Sequence, residues 1–529
     1  MSSPDDHLPE APRPDAIPDL RETDETGVVV WHREHLRTTD NPALARAVET
    51  ADRVCPLFVI DPTFYGEGSL ACDARIQFLH ECLSDLDDQY RDRTDGSLTL
   101  GHGDPLDVLD RFHTRGWDVF AVDAPTGRYG HRRDRAARDR FDAVFLGGDG
   151  LVRGTDDPRD GWQETVESFL TADPFEWTAG DAAVTDLITP ITTDRVAEAY
   201  GIDPEKTVER TGGTTAAWER LEAFVARIGS YPGSISSPVD AREGTSGLSP
   251  YLKYGCLSVR EAYQYVQREA PDCRGTELFV SRLFWNLHYR QKVLDWPGWL
   301  DTAVNPVLAG FNADSHDSEL VERWKEGRTG YPMVDASMRC LRETGWLNFR
   351  MRAMCVSFYY HVLHQPWQIG ADYFHEQLFD SVAAINYTQW QYQCGLVGKP
   401  GLRLYNPRKQ VRDQDPDGEF ITRWVPELAD LPTEFLDRPE HTPRSVQEEC
   451  GVILGETYPY PVREYEAAKE AFWRQYNAVR EEAAARLADP EIARRASLSG
   501  GLDAAKRIAS DVADDASRDR QSSLSAFSS

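Results

Sequence analysis

The sequence predicts a two-part fold, in which a doubly wound α/β domain with a parallel sheet is followed by a mainly helical domain. Short apolar runs that alternate with helix-like stretches predict the first part. Apolar residues that recur at helical spacing predict the second part. At 529 residues the chain is too long for one compact core, so at least two domains are expected.

Strands and helices are predicted to alternate through residues 26–150. The predicted strands are 27–31, 54–60, 97–100 and 118–122, and the predicted helices lie near 41–50, 71–90, 104–115 and 128–142. Strands of a parallel sheet appear as continuous apolar runs because helices cover both faces of the sheet. Residues 26–150 are therefore predicted to form the α/β domain.

The remaining segments differ in composition from this domain. Residues 1–25 contain Pro, Asp and Glu with few apolar side chains, and we expect them to be disordered. Residues 151–200 are expected to connect the domains, and 201–485 to form the helical domain. Residues 486–529 are predicted to contain a helix and a disordered tail, because Ser, Ala, Asp and Arg predominate beyond residue 497.

Acidic side chains outnumber basic ones by 88 to 58, which gives a formal net charge of −30. Self-repulsion at this level weakens a compact state in dilute buffer and is tolerated where salt screens it. We therefore expect a halophilic source, such as a haloarchaeon. A DNA partner would require a local basic patch. The candidates for that patch are Arg282, Arg350, Arg403, Arg408 and Lys409.

Targeting and metal-binding signals are not found in the sequence. No apolar run reaches the ~18 residues that cross a bilayer, and the N-terminus lacks the basic start of a signal peptide. The nine cysteines have no Cys-x-x-Cys spacing, which favours apolar packing over a disulfide framework or a metal site. We expect a monomeric, cytoplasmic protein with no membrane partner and no bound metal.

Residues 345–428 are the most informative segment of the chain. They set Trp346, Asn348, Arg350, Arg352, Trp367, Asp380, Asn386, Trp390, Tyr392, Asn406 and Trp424 into apolar helices. Burying such side chains costs free energy unless each has a partner, so a large planar cofactor is the economical explanation. The order and spacing resemble the flavin-binding half of the photolyase/cryptochrome family, and the likeness extends over residues 26–480.

The resemblance implies an FAD site, of which one piece is a loop around the FAD pyrophosphate. The matching residues are Thr245, Ser246, Gly247, Leu248 and Ser249, with Gly247 in place of a residue that is often larger. The residues themselves predict a helix start with Ser249 as N-cap, which would present free amides and a positive dipole end. Seen alone, such a motif is more often an ordinary helix cap.

Further pieces of the implied site lie beside the flavin ring. Arg352 and Asp380 match the family's ion pair, in which a fixed guanidinium favours the anionic reduced flavin. Either residue alone would more often form a structural salt bridge. Asn386 occupies the position that faces flavin N5 in the family.

Trp390 and Trp367 match the inner two members of the family's electron-transfer chain, which returns electrons from the surface to a photoexcited flavin. The position of the outermost tryptophan is occupied by Asp314, which cannot conduct. Either the electron-transfer chain ends at Trp367, or another aromatic side chain serves as its outermost member. The candidate substitutes are Trp296, Trp299, Tyr359 and Tyr360. For any single tryptophan, core packing is the commoner role.

The resemblance also implies a pocket for a damaged, flipped dinucleotide of DNA. Trp285 is suited to stacking on an extruded base, Arg350 to phosphate, and Tyr392 stands where the family has a second indole. Other lesion-binding positions depart from the family. Its glutamate, asparagine and methionine are replaced by Arg282, Phe349 and Ala353.

Two functions of different class follow from these residues, and a flavoprotein that keeps the fold without any light reaction is the third, blander alternative. A deoxyribodipyrimidine photolyase would repair cyclobutane pyrimidine dimers by electron transfer from reduced FAD. The alternative is a cryptochrome-like blue-light photoreceptor without repair activity, whose signalling partner the sequence does not reveal. Trp285 and Arg350 favour repair, whereas the three replaced positions favour light sensing. The α/β domain either carries the family's antenna chromophore, a folate or a deazaflavin, or serves as a scaffold.

Overall fold

The computed structural model describes residues 26–66, 69–155, 159–185, 191–399 and 401–526. The segment 1–25, which was predicted to be disordered, lies outside them. Over the described residues a parallel α/β domain is followed by a helical domain, so the predicted fold class is confirmed. No described helix combines the length and the apolar character that a membrane span requires.

The sheet of the α/β domain is parallel at every pairing of its strands. Its strands are β1 (Val28–His32), β2 (Arg53–Ile60), β3 (Thr99–His102), β4 (Asp118–Val122), β5 (Val144–Leu146) and β6 (Ala183–Val184). The order is β3-β2-β1-β4-β5, and β6 pairs with the start of β2. All five residues of β1 are buried, as expected for a strand with helices on both faces.

The helices of the α/β domain are α1 (Pro42–Thr50), α2 (Asp73–Arg93), α3 (Pro105–His113) and α4 (Arg128–Phe141). Their starts carry clear local signals. Asn41 and Asp104 accept hydrogen bonds from the first backbone amides of α1 and α3, and each is followed by proline. These caps explain why both boundaries agree with the sequence prediction to within two residues.

The predicted connector contains regular structure. It includes α5 (Trp162–Thr171), β6 and α6 (Thr193–Tyr200). Val166 and Leu170 of α5 are fully buried against Leu287 of the helical domain. The segment therefore packs on both domains as it passes between them.

The helical domain begins after residue 200. Its helices are α7 (Thr214–Val225), α8 (Tyr231–Ser234), α9 (Ala241–Gly244), α10 (Ser249–Tyr254), α11 (Val259–Glu269), α12 (Arg274–Asp295), α13 (Ser318–Lys325), α14 (Pro332–Thr344), α15 (Phe349–His361), α16 (Trp367–Gln377), α17 (Ala383–Cys394), α18 (Pro407–Gln414), α19 (Glu419–Trp424), α20 (Arg444–Cys450) and α21 (Tyr465–Leu487). Short 3-10 turns lie at Pro62–Phe64, Ile228–Ser230, Pro297–Leu300, Pro306–Leu308, Pro426–Leu428, Thr433–Phe435 and Pro439–His441.

Arg75 links the two domains through hydrogen bonds. This buried side chain of α2 donates hydrogen bonds to the carbonyls of Glu376 (3.0 Å) and Leu378 (2.6 Å), and also to that of His375. These carbonyls lie at the C-terminal end of α16, where a cation stabilises the helix dipole. The contact fixes α16 and the segment that follows it against the α/β domain.

Beyond residue 497 the structure corrects the prediction of a disordered tail. After α22 (Pro490–Ala496) the chain forms α23 (Gly501–Ala526), which packs on α21. Ala505 and Val512 are buried, and Leu502 and Ile508 pack on the helical core. These four residues recur at helical spacing, a signal that the surrounding small and polar residues obscured.

Candidate functional site

Asp380 joins two of the segments predicted to form the site. Its carboxylate accepts a hydrogen bond from the Ser249 hydroxyl (2.6 Å) and from Arg352 Nη2 through both oxygens (3.2 and 3.3 Å). Arg352 Nε also donates to the Leu347 carbonyl (2.5 Å). The Asp380 side chain is 3% exposed and that of Arg352 is 26% exposed. Asp380 therefore binds one side of the Arg352 guanidinium group, and part of the group remains accessible to a ligand.

The role predicted for Ser249 as a helix N-cap is wrong. The cap position belongs to Leu248, and α10 begins at Ser249. The Ser249 hydroxyl donates to Asp380 instead, because a hydrogen bond to a carboxylate is stronger than one to a neutral backbone group. The loop is therefore tied to the ion pair, and the argument from a capped helix end no longer supports phosphate binding.

Cationic side chains surround the same loop. Arg220 donates to the carbonyls of Ser246 (2.7 Å) and Thr245 (3.2 Å), and Arg227 donates to the Thr245 carbonyl (3.1 Å). Burial, together with the charges of Arg210 and Arg227, lowers the pKa of Arg220 to about 10. A bound anion would relieve this like-charge crowding, so the site has the electrostatics that a pyrophosphate requires.

Gly247 explains how the guanidinium groups reach the loop. Its φ is +64°, and a Cβ atom at this position would lie 2.8 Å from Arg210 Nη2 and 2.9 Å from Arg220 Nε. Any larger residue would have to displace both groups. Because Gly247 has no side chain, the guanidinium groups of Arg220 in α7 and of Arg210 before α7 can lie against the loop. The sequence analysis did not identify these two arginines.

Trp390 lies in a buried aromatic cluster on α17. Its ring is 5.3 Å from Phe374, 5.7 Å from Tyr359 and 6.2 Å from Trp324, measured between centroids. One turn earlier, Asn386 donates its amide to the Ala371 carbonyl (2.9 Å). Its carbonyl oxygen is the atom left to accept a hydrogen bond from a ligand, as a protonated flavin N5 would require.

Trp367 is the first residue of α16. The position of the next electron donor beyond Trp367 differs from the family pattern. Asp314 is exposed. Of the four substitutes considered from the sequence, Tyr359 contacts Trp324 (4.5 Å) as well as Trp390. Tyr360 contacts His361 and Phe472, Trp299 stacks on Tyr392, and Trp296 lies beneath Arg495.

Trp285 projects from α12 at the surface of the helical domain. It is 44% exposed, and its ring lies 5.2 Å from His288 and 5.5 Å from Tyr289. An exposed indole supported by two further rings offers a flat surface for a base. Tyr392 is more enclosed, because it stacks on Trp299 at 5.8 Å and lies 5.2 Å from the Lys292 ammonium group.

The basic side chains of the predicted patch differ in how free they are to bind DNA phosphate. Arg350 donates to the Ser236 hydroxyl (3.1 Å), and its Nε atom is buried without a partner among the described residues. Arg408 pairs with Glu440 at 2.5 Å, and Lys409 lies 3.9 Å from Asp413. The patch is therefore weaker than the sequence suggested.

A cavity of about 250 Å³ lies between the two domains. Its lining includes Trp31, Phe64, Tyr65, Lys253 and Tyr387. Burial and the charge of Arg75 lower the pKa of Lys253 to about 8. Aromatic walls with a few polar groups suit a planar ring system. Over the described ranges, no group of three or more His, Cys, Asp or Glu side chains is placed to hold a metal ion.

Comparison with known protein families gives two matches. Residues 28–146 match the family described as DNA photolyase, and residues 279–478 match the FAD binding domain of DNA photolyase. A cryptochrome DASH from Natronomonas pharaonis is 32% identical over 472 residues, spanning 83% of this chain and 98% of that protein. A deoxyribodipyrimidine photo-lyase from Synechococcus is 28% identical, spanning 88% and 98%.

Solved structures show the same fold. A cryptochrome from Synechocystis superposes with a TM-score of 0.73 at 24% identity, covering 86% of this chain and all (100%) of that one. An archaeal photolyase from Sulfolobus tokodaii superposes with a TM-score of 0.69 at 25% identity, covering 85% and 100%. The latter was solved with two FAD molecules, which implied a novel light-harvesting cofactor in that protein.

Proposed function

Since the chain belongs to the photolyase/cryptochrome family and carries its FAD-binding domain, we propose that it repairs cyclobutane pyrimidine dimers in DNA under blue light. The single observation that carries the proposal is the exposure of Trp285 on α12, beside His288 and Tyr289. A large indole left in water is accounted for by a ligand that stacks on it, and stacking stabilises each base by about 1–3 kcal/mol.

FAD bound in the helical domain would supply the excited-state electron that opens the cyclobutane ring. The residues around it have separable tasks. Arg210 and Arg220 hold the pyrophosphate, and Arg352 places a positive charge beside the ring. Asp380 orients that charge and reduces the cost of burying it.

Asn386 and Trp390 lie on one face of α17, one helical turn apart. In the proposed site Asn386 would accept a hydrogen bond from the flavin ring, and Trp390 would be the first aromatic side chain to pass it an electron. Trp367 is the second. Arg350 and Tyr392 complete the DNA side of the site, Arg350 through phosphate and Tyr392 as an inner wall.

The cavity between the domains is the proposed position of an antenna chromophore. Its aromatic lining and the buried Lys253 suit a planar, partly anionic ring system. A folate, a deazaflavin or a second flavin would fit this description. Absorption spectra of the extracted cofactors from purified protein would distinguish these chromophores from one another and from an empty scaffold.

Light sensing without repair is the second candidate function. Arg282 stands where the family has a lesion-binding glutamate, and it hydrogen-bonds to the Tyr231 hydroxyl. Phe349, which replaces the family's asparagine, is 56% exposed and offers no hydrogen bond to a base. These features favour a photoreceptor, whose output would be a light-dependent change in a partner contact.

The deciding experiment is a repair assay in high salt. Protein with chemically reduced FAD is mixed with oligonucleotides that contain either a cyclobutane dimer or a (6-4) photoproduct, and illuminated with blue light. We expect restoration of the cyclobutane dimer only, and loss of binding in Trp285→Ala. Tyr460→Ala removes an aromatic ring that is 56% exposed on another segment and serves as the matched control. A photoactive flavin without restored substrate would exclude the repair function.

A further inference from the structure

Electron transfer to the flavin must begin at a residue that an external reductant can reach. In this chain the position of the outermost tryptophan is occupied by Asp314, an exposed residue whose side chain cannot be oxidised reversibly. Trp367 therefore needs another donor. The donor must be an aromatic side chain near Trp367 or Trp390 that can lose both an electron and a proton.

Trp367 is the first residue of α16, and Trp390 contacts the same helix one turn later. The Trp390 ring lies so close to Gly370 that a Cβ atom there would be 2.3 Å from Trp390 Cη2. Residues three apart on a helix are neighbours on its surface. The Trp390 ring, which belongs to α17, thus packs on α16 one helical turn from Trp367.

Tyr387 lies beside Trp367, with 6.5 Å between ring centroids and an angle of 80° between the rings. Its hydroxyl donates a hydrogen bond of 2.5 Å to Asp372 Oδ1. Arg128 lies 3.3 Å from the same carboxylate oxygen and 4.8 Å from the centre of the Tyr387 ring. Tyr387 therefore combines a ring contact to Trp367 with a base held at hydrogen-bonding distance.

Tyr373 provides an instructive comparison. Its ring lies 5.7 Å from Trp324, which in turn lies 6.2 Å from Trp390, so it also has a route to the flavin. Its hydroxyl, however, donates to the backbone carbonyl of Lys325 (3.2 Å). A peptide carbonyl cannot take up the proton of an oxidised phenol, whereas a carboxylate can.

We propose that Tyr387 is the terminal electron donor of the electron-transfer chain. The oxidised Trp367 takes an electron from Tyr387, and the phenolic proton of Tyr387 passes to Asp372. The inference rests on the proposed light-driven function. The oxidised Trp367 gains one electron and becomes neutral, the phenolic O–H bond of Tyr387 breaks, and a neutral tyrosyl radical and a protonated Asp372 remain. Oxidised FAD, when bound and excited by light, would be the final electron acceptor, through Trp390.

The surroundings of this pair complete the cycle. The Asp372 side chain is 51% exposed, so it can return the proton to water. Tyr387 is 4% exposed but lines the cavity between the domains, so a small thiol can restore the phenol by donating a hydrogen atom while that cavity holds no antenna chromophore. Burial and the charge of Asp372 raise the pKa of Tyr387, so the phenol keeps its proton until the electron leaves.

The test uses FAD-loaded protein in high salt with a thiol reductant under blue light. Photoreduction is followed by loss of oxidised-flavin absorption, and the radical is identified by transient absorption and by electron paramagnetic resonance. In Asp372→Asn, which can keep the hydrogen bond but not the base, the photoreduction rate should fall by about a hundredfold, the lower end for a positioned proton acceptor. Tyr387→Phe should behave alike and lose the tyrosyl signal.

Tyr373→Phe is the matched control and should keep both the rate and the radical. Wild-type protein should also react more slowly in heavy water, and Tyr387→Phe should lose that isotope effect. Wild-type rates in both Tyr387→Phe and Asp372→Asn, or a tyrosyl signal that vanishes only in Tyr373→Phe, would overturn the inference alone. A wild-type protein that binds FAD but is not photoreduced would overturn the proposed function as well.

Discussion

Replacing Gly247 by alanine tests whether the arginines around the loop bind the cofactor. The new methyl group would lie 2.8 Å from Arg210 Nη2 and 2.9 Å from Arg220 Nε. Both are the ends of flexible side chains, so they can move aside, at the cost of the Arg220 hydrogen bonds to the Ser246 and Thr245 carbonyls. They would leave the position at which they can bind a pyrophosphate.

The magnitude follows from two separate terms. Alanine at a φ of +64° costs about 1–2 kcal/mol in stability, whatever lies around it. A lost charge-assisted hydrogen bond to a phosphate costs about 1.5–3 kcal/mol, which weakens FAD binding by roughly 10- to 100-fold. Stability should fall modestly, and FAD affinity should fall strongly.

Gly201→Ala separates the two terms. Gly201 ends α6 with the same φ of +64°, and no atom lies within 4 Å of its added Cβ. Thermal unfolding should shift at least as much in Gly247→Ala as in Gly201→Ala, and titration of apoprotein with FAD in concentrated KCl should show weaker binding only in Gly247→Ala. Equal FAD affinity in the two variants would refute the assignment of Arg210 and Arg220 to the pyrophosphate.

Three further results are expected. Trp390→Phe should slow photoreduction severely while chemically reduced protein retains dimer repair, and equal loss of both would identify Trp390 as a packing residue. Because the net charge is −30, the free energy of unfolding should rise with KCl concentration, and a salt-independent unfolding temperature would contradict a halophilic origin. Burial lowers the pKa of His361 to about 3, so the unfolded chain binds one more proton than the folded chain between pH 6.5 and 3. Stability should fall with acidification across that window, and His361→Gln should reduce the slope by about 1.4 kcal/mol per pH unit, measured by denaturant unfolding. An unchanged slope would show that His361 is already charged in the folded protein.

The strands β1 to β4 were predictable because each overlaps a largely buried run in the sequence that is mainly apolar. β5 and β6, of three and two residues, were not predicted, since runs so short have no recognisable pattern. The helix α23 was missed for another reason. Its buried side chains Ala505 and Val512 stand among Ala, Ser and Asp residues that are equally common in disordered tails.

Some residues of the candidate site were also predictable from the sequence, and others were not. Arg352 and Asp380 were assigned through the resemblance to the photolyase/cryptochrome family, and the structure brings them together. Arg210, Arg220 and Arg227 carry no such signal, because their convergence depends on how α7 packs against a loop about twenty residues later. Ser249 was assigned to a helix cap from its neighbours, whereas its hydrogen-bond partner lies 131 positions away.

Local periodicity predicted the order of strands and helices in the α/β domain, and the resemblance of residues 345–428 to the photolyase/cryptochrome family implied the class of cofactor, since both depend on residues close together in the chain. Long-range packing decided the electrostatics around Gly247 and the pairing of Tyr387 with Asp372. Neither could be derived from the chain alone, because a proton or an electron passes between groups according to their distance in space, and that distance is a property of the folded molecule.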